Sequence, residues 1–321
     1  MIVDYFSEEK KPILSVCVVT YNQKDFIRQA IDSVFSQVTN YPFEVLIGDD
    51  CSNDGTREII EEYKANHPEV FFYFAKKNTY KSKNNVFLTL EKLSSGKYVI
   101  ILEGDDYWID KKKLDKQISY LIDHPDYLAV SSKCLVVDKD SKPKKVHYPD
   151  CSNDTYDVLD WYNCIVPGQT TTFMHVNRKL HPEIDWSITE KGLIPGDRLK
   201  YYVLALNGKI GCIKERLSAY RYVPESGISF VANDVFSYNR YHKWYQAIVE
   251  YTYKHGNKYY ILLSEVLYFE FCVKCIIRKQ MPFRKIFFLD YKKSGRAKIY
   301  LTFISQQIRF RIFKQKKVCK Q

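Results

Sequence analysis

Three carboxylates stand within four positions at Glu103, Asp105 and Asp106, directly after the apolar run 98–102. The run reads as a buried strand, so the acids fall at a strand's carboxyl end. Carboxylates this crowded repel one another. They are tolerated when a cation, or a cationic part of a ligand, sits among them. The chemistry implied is that of a metal-assisted enzyme. Two more polar clusters occupy the same kind of position. Thr20, Tyr21 and Asn22 follow the apolar run 13–19, and Asp49 and Asp50 follow the run 43–47 and Gly48.

The elements that must carry these clusters are readable from periodicity. Phe26, Ile27, Ala30, Ile31, Val34 and Phe35 give residues 25–37 one apolar helical face. A second helix starts at 54–56, with Ile59, Ile60 and Tyr63 facing inward. A third strand follows at 70–74, and a helix at 86–93 is closed by Ser94, Ser95 and Gly96. Strand and helix alternate, which predicts parallel βαβ units in an α/β architecture. Ligands of open α/β sheets bind outside the carboxyl ends of the strands. The three polar clusters therefore converge on one edge. After a helix at 113–123 the pattern turns strand-like and mixed, with strands at 127–137, 170–175 and 218–222. Residues 194–197 open a helix that runs through Leu206, and 207–209 form a turn.

The chain has 321 residues, 45% of them hydrophobic, including 27 Tyr and 19 Phe, enough for a sizeable core. It has no run of about 18 uncharged apolar residues, so no membrane-spanning helix is expected. Residues 1–11 lack the apolar segment of a signal peptide. Nine scattered cysteines, mostly in apolar contexts, suggest a reduced cytoplasmic protein. Cys272 and Cys275 read as two core thiols on one helix face. Of the 49 Lys and Arg and 38 Asp and Glu, 19 and 5 fall after position 230. The two parts are thus chemically different, and the expected division is 1–230 and 231–321. The second part carries helices at about 235–253 and 259–278, then a basic aromatic tail.

The ordered set Val-Val-Thr-Tyr-Asn (18–22), Ser-Gln (36–37), Asp-Asp-Cys-Ser-Asn-Asp-Gly-Thr (49–56), Ser-Gly-Lys-Tyr (95–98) and Glu-Gly-Asp-Asp (103–106) resembles the inverting family-2 glycosyltransferases. The resemblance runs from about residue 12 to 230. It implies the GT-A fold, a Rossmann-like, mostly parallel sheet flanked by helices, and a nucleotide-sugar donor. Residues 50–61 also come near the spacing of a calcium-binding helix–loop–helix, but a strand precedes them where a helix is required. By resemblance, Asp50 hydrogen-bonds the base. A carboxylate can accept the imide N–H of uracil, which suits UDP. Thr20, Tyr21 and Asn22 line the nucleotide pocket. Glu103 and Asp105 stand at the family's Asp-x-Asp, with Asp105 and Asp106 as the ligands of Mn²⁺ or Mg²⁺. Asp197 matches the catalytic base, which takes the acceptor hydroxyl's proton as the bond forms. As a residue near a helix start, it could instead cap that helix. Arg221 could contact phosphate or make a structural ion pair. Relatives carry His where Val223 stands, ahead of Gly-Ile-Ser at 227–229.

The tail at 287–321 interleaves aromatic and aliphatic residues with Lys and Arg, a composition that binds anionic membrane surfaces. A packed subdomain or a second copy of the chain is the alternative partner. The expected activity is sugar transfer to a glycan or lipid-linked acceptor, on the inner face of the membrane, in polysaccharide synthesis. A sugar-nucleotide nucleotidyltransferase would need a Gly-rich phosphate loop, which 18–22 lacks. A non-catalytic nucleotide-sugar-binding module remains if Asp197 only caps a helix. Nucleic-acid binding leaves the carboxylates unexplained, and no such motif appears.

Overall fold

The computed structural model describes residues 11–80, 82–145, 151–223 and 237–277. The chain divides into two units, Met1–Val235 and Phe236–Gln321. The expected boundary at 231, the Gly-Ile-Ser segment and the tail at 287–321 lie outside the described residues.

The first unit is built on a nine-stranded sheet. Its first half is parallel: β1 (Leu14–Thr20) lies between β2 (Phe43–Asp49) and β4 (Tyr98–Glu103), and β3 (Phe71–Phe74) flanks β2. Leu14, Val16, Cys17 and Val18 are all buried. A strand covered on both faces can be apolar without alternation, which is why these strands are legible as runs. The connecting helices are α1 (Ile27–Phe35), α2 (Thr56–Asn66) and α3 (Val86–Leu93). In α2, Ile60 and Tyr63 are buried while Ile59 is only half-buried.

The second half is mixed. It comprises β5 (Tyr107–Trp108), β6 (Tyr127–Val137), β7 (Thr155–Tyr156), β8 (Met174–Val176) and β9 (Lys209–Arg221), with helices α4 (Lys113–Asp123), α5 (Val158–Tyr162) and α6 (Gly196–Asn207). The sheet runs β3-β2-β1-β4-β8-β6-β9-β5, with β7 beside β9. β8 pairs antiparallel with both β4 and β6, so it joins the two halves.

Two strand expectations in this half need revision. Residues 170–175 are not one strand. Thr170–Thr172 is a 3₁₀ turn, and only Met174–Val176 pairs. The turn forms because Gln169 O accepts both the N–H and the hydroxyl of Thr172, at 2.9 and 2.7 Å. The last strand starts at Lys209, not Ser218. Its middle, Lys214, Glu215 and Arg216, is exposed, and its pairing with β6 shifts register beside Lys133. An exposed charged segment flanked by bulges does not read as strand.

In the second unit, α7 (Tyr238–His255) and α8 (Lys258–Ile277) form a helical pair. Tyr268, Phe271, Cys272 and Cys275 make its buried cluster, against which Tyr238, Tyr241, Tyr245 and Val249 pack. Cys272 and Cys275 are thus core thiols among rings. No helix among the described residues is long and apolar enough to cross a membrane.

Candidate active site

The loops after β1 and β2 are stitched together by side-chain-to-backbone hydrogen bonds. Asn22 N–H donates to Ser52 Oγ and Asn22 Oδ1 accepts from Asn53 N–H, both at 2.9 Å. Gln23 N–H donates to Thr56 Oγ1 at 2.9 Å, and Lys24 N–H to Asp54 Oδ2 at 3.1 Å. Asn22 holds a left-handed conformation, φ 52°, which a short amide side chain tolerates. Its groups are therefore committed to the loop. The Tyr21 ring beside it is 45% exposed and free to lie against a flat ligand.

Asp49 and Asp50, adjacent in sequence, do different work. The Asp49 carboxylate is fully buried. It accepts from Arg57 Nε at 2.8 Å and from Ser52 N–H at 3.1 Å. Asp50 is oriented by Thr79, whose N–H and hydroxyl donate to Oδ1 at 2.7 and 2.6 Å. Burial pushes the Asp50 carboxyl above its ordinary value, against the pull of the Thr79 bonds. Thr79 carries no signal in the sequence that would have marked it.

The acidic turn packs directly on the β1 loop. Gly104 N–H donates to Val19 O at 2.9 Å. A Cβ at Gly104 would come within 2.6 Å of Gln23 Oε1 and 2.7 Å of Thr20 Oγ1, so only glycine fits between the two acids. Thr20 Oγ1 donates to Gln23 Oε1 at 2.7 Å, and Gln23 also hydrogen-bonds the Asp105 carboxyl. Gln23 thereby ties the loop after β1 to the acidic turn, a link the sequence did not suggest.

The three acids of the turn are not equivalent. Glu103 and Asp105 are half-buried and solvent reaches them, whereas Asp106 is 2% exposed. Asp106 Oδ1 accepts the N–H of Arg221 at 2.8 Å, and its Oδ2 is buried without a partner. Asp106 is thus less accessible than Glu103 and Asp105, and any metal contact from it would fall to the unpartnered Oδ2. Burial pushes all three carboxyls up. For Glu103 the negative charges of Asp105 and then Asp197 add to the rise, and for Asp105 the charge of Arg221 opposes it.

Asp197 lies in the first turn of α6, and the residue that precedes the helix is Pro195. The cap position thus belongs to Pro195, and Asp197 is the second residue of the helix, where the helix's positive end favours an anion. Solvent reaches the Asp197 carboxyl. Even so, desolvation by the surrounding protein pushes its pKa up, with Arg198 pulling the other way. Beside it opens a small cavity of about 50 Å³, continuous with solvent, lined by Phe87, Ile101, Phe173, His175 and Tyr201. One turn further along α6, Lys200 Nζ donates to the buried Glu91 at 2.5 Å, and His175 Nε2 stands 3.3 Å from the same oxygen. This cluster fastens α6 to α3 and β8.

The donor set at the turn is all oxygen and suits a hard divalent cation. Among the described residues no group of three or more His, Cys, Asp and Glu is arranged to hold a metal. Val223, where relatives carry His, is buried and offers no ligand. Glu103 and Asp105 present the accessible carboxylates for the mode in which Mg²⁺ or Mn²⁺ takes one or two carboxylates and the substrate's phosphates.

Comparison with known proteins identifies the family and the fold. Residues 15–184 match the family model for glycosyl transferase family 2. The chain belongs to that family. It is 31% identical over 217 residues to an uncharacterised protein of Mycobacterium tuberculosis, covering 65% of this chain and 58% of that one. It is 32% identical over 152 residues to the putative teichuronic acid biosynthesis glycosyltransferase TuaG of Bacillus subtilis, covering 46% and 56%. The match to the Escherichia coli glucosyltransferase WfaP is 28% over 143 residues, covering 42% and 54%. The chain thus spans little more than half the length of these relatives. Among solved structures, S. aureus TarS in complex with UDP-GlcNAc superposes with a TM-score of 0.59 at 18% identity, covering 81% of this chain and 71% of that one. The likeness is one of fold, and the fold is GT-A.

Proposed function

We propose that the first unit moves a sugar, with inversion, from a UDP-sugar to a hydroxyl of a glycan or lipid-linked acceptor in cell-surface polysaccharide assembly. The observation that carries this reading is the pairing of the acidic turn with Asp197. The two are near enough for Asp197 to raise the pKa of Glu103. Asp50, Thr20 and Tyr21 hold the nucleotide. Asp105, with Glu103 beside it, would hold Mn²⁺ or Mg²⁺, which neutralises the diphosphate and the charge growing on the leaving group. Asp197 takes the proton as the acceptor hydroxyl attacks the anomeric carbon from the face opposite UDP. The cavity beside Asp197, open to solvent, leaves room for the acceptor hydroxyl there. The UDP donor is supported by WfaP, named a UDP-Glc transferase, and by TarS crystallised with UDP. The polysaccharide setting is supported by the name of TuaG. The basic tail would hold the enzyme on the cytoplasmic face of the membrane. Salt-sensitive sedimentation with anionic vesicles that is lost on removing residues 281–321 supports this placement, and sedimentation unchanged by the truncation refutes it.

The decisive measurement is thermal stability against a panel of nucleotide sugars with and without Mn²⁺, since a ligand of the folded state raises the melting temperature by mass action. UDP-sugars should stabilise more with Mn²⁺ than in chelator. Asp105→Asn should remove that increment and leave the metal-free effect. A wild-type protein on which Mn²⁺ adds nothing to UDP binding would overturn the reading.

A further inference from the structure

Arg221 lies at the end of β9, 2% exposed, and its guanidinium is fully engaged. Nε donates to the backbone carbonyl of Asp105 at 2.8 Å. One terminal nitrogen donates to the carbonyls of Asp138 and Lys139 at 3.0 and 2.7 Å. The other donates to Gln29 Oε1 at 2.8 Å and to Ser141 Oγ at 3.3 Å. All five N–H groups of a guanidinium thus have an acceptor within the protein. The plane also rests on aromatic rings, 4.4 Å from the centroid of Phe26 and 5.5 Å from that of Tyr107. The backbone N–H of the same residue donates to Asp106 Oδ1.

We propose that Arg221 is a positioning residue for the acidic turn: it clamps the Asp105 backbone to α1 and the end of β6, and it makes no contact with the diphosphate. A phosphate contact would require breaking bonds that a planar fork satisfies together and a lysine could not. Asp105 presents its carboxylate from a backbone held at both ends, by Gly104 against β1 and by the Asp105 carbonyl against Arg221. The inference rests on the functional reading above, in that it assigns the support beneath the proposed metal ligand.

The test is a two-by-two binding cycle on the full chain, with UDP and uridine each titrated in Mn²⁺ and in chelator, and Mn²⁺ followed independently by its paramagnetic resonance. For Arg221→Lys, the Mn²⁺-dependent gain in UDP affinity should fall about 10- to 100-fold, the range for loss of a residue that orients a metal ligand. Uridine affinity, and UDP affinity in chelator, should stay at the wild-type value. An equal loss with and without Mn²⁺ would mean a direct phosphate contact and overturn the proposal, as would no loss at all. If Arg221→Lys does not fold, Gln29→Ala decides. It removes one acceptor of the fork and should show a smaller loss confined to the same Mn²⁺-dependent gain; a wild-type gain would overturn the proposal. A wild-type enzyme showing no Mn²⁺-dependent gain would instead sink the functional reading.

Discussion

At the ends of β1 and β2 the polar groups are bonded to one another, whereas around α6 several are not. Asn22, Gln23 and Lys24 are tied to Ser52, Asn53, Asp54 and Thr56 by four hydrogen bonds. In the mixed half of the sheet, Arg198 Nε and Thr171 Oγ1 are buried without a partner, and Arg198 lines the cavity beside Asp197. Buried donors without acceptors are costly and call for an explanation. The loops after β1 and β2 are satisfied internally, whereas the wall beside Asp197 keeps a buried donor, Arg198 Nε, for which the described residues supply no acceptor.

The sharpest way to break this division is Asp197→Asn. It should lower turnover by about 10²- to 10⁴-fold, the usual worth of a positioned general base, and leave the affinity for UDP unchanged. Rapid-quench transfer assays and calorimetry on the same protein check both halves. A matching loss in UDP affinity would mean that the two sides are not separate. Next in size is Glu91→Gln, which leaves the ammonium of Lys200 buried without its charge partner. The expected cost is about 3–5 kcal/mol of stability, read by urea unfolding. Burial alone would raise Glu91, but Lys200 and His175 outweigh it and hold the carboxyl well below the usual range. That contribution is complete above the unfolded carboxylate's pKa of about 4.3 and is lost as pH falls toward the folded value. The stability of the Gln variant should therefore fall less steeply with acid than the wild type's. Equal slopes would remove Glu91 from the account.

The smallest effect should appear at the acidic turn. Its carboxyls have raised pKa values in the folded state. The stability they contribute is complete below the unfolded value and is lost as pH rises through the folded ones. Metal bound with UDP requires the ionised forms. The gain in melting temperature from Mn²⁺ plus UDP should consequently grow with pH above the ordinary carboxylate range. The Asp105→Asn protein should show a flatter dependence, and parallel curves would argue that the cation sits elsewhere.

The same contrast explains what the sequence could and could not disclose. The parallel half was legible because strands buried on both faces are continuous apolar runs and each ends in a polar cluster. Thr20, Asp50, Glu103 and Asp105 were singled out as candidates that way. The mixed half hides its strands. β9 passes through exposed Lys214, Glu215 and Arg216, and β7 has only two residues. The short α5 could have been found, since Asp157 and Asp160 form a capping box at its start. Gln23, Thr79 and Arg221 act through tertiary bonds to residues far along the chain, which leave no periodic trace. The burial of Asp106 was not legible for the same reason: its neighbour in space is the backbone of Arg221, 115 positions away.

The stitched loops also have a calorimetric consequence. A donor entering a site whose walls are already hydrogen-bonded orders little backbone, so the entropy cost of loop folding does not enter its affinity. The heat-capacity change of UDP binding should then report the surface covered by the base and ribose alone, without the large negative value that accompanies coupled folding.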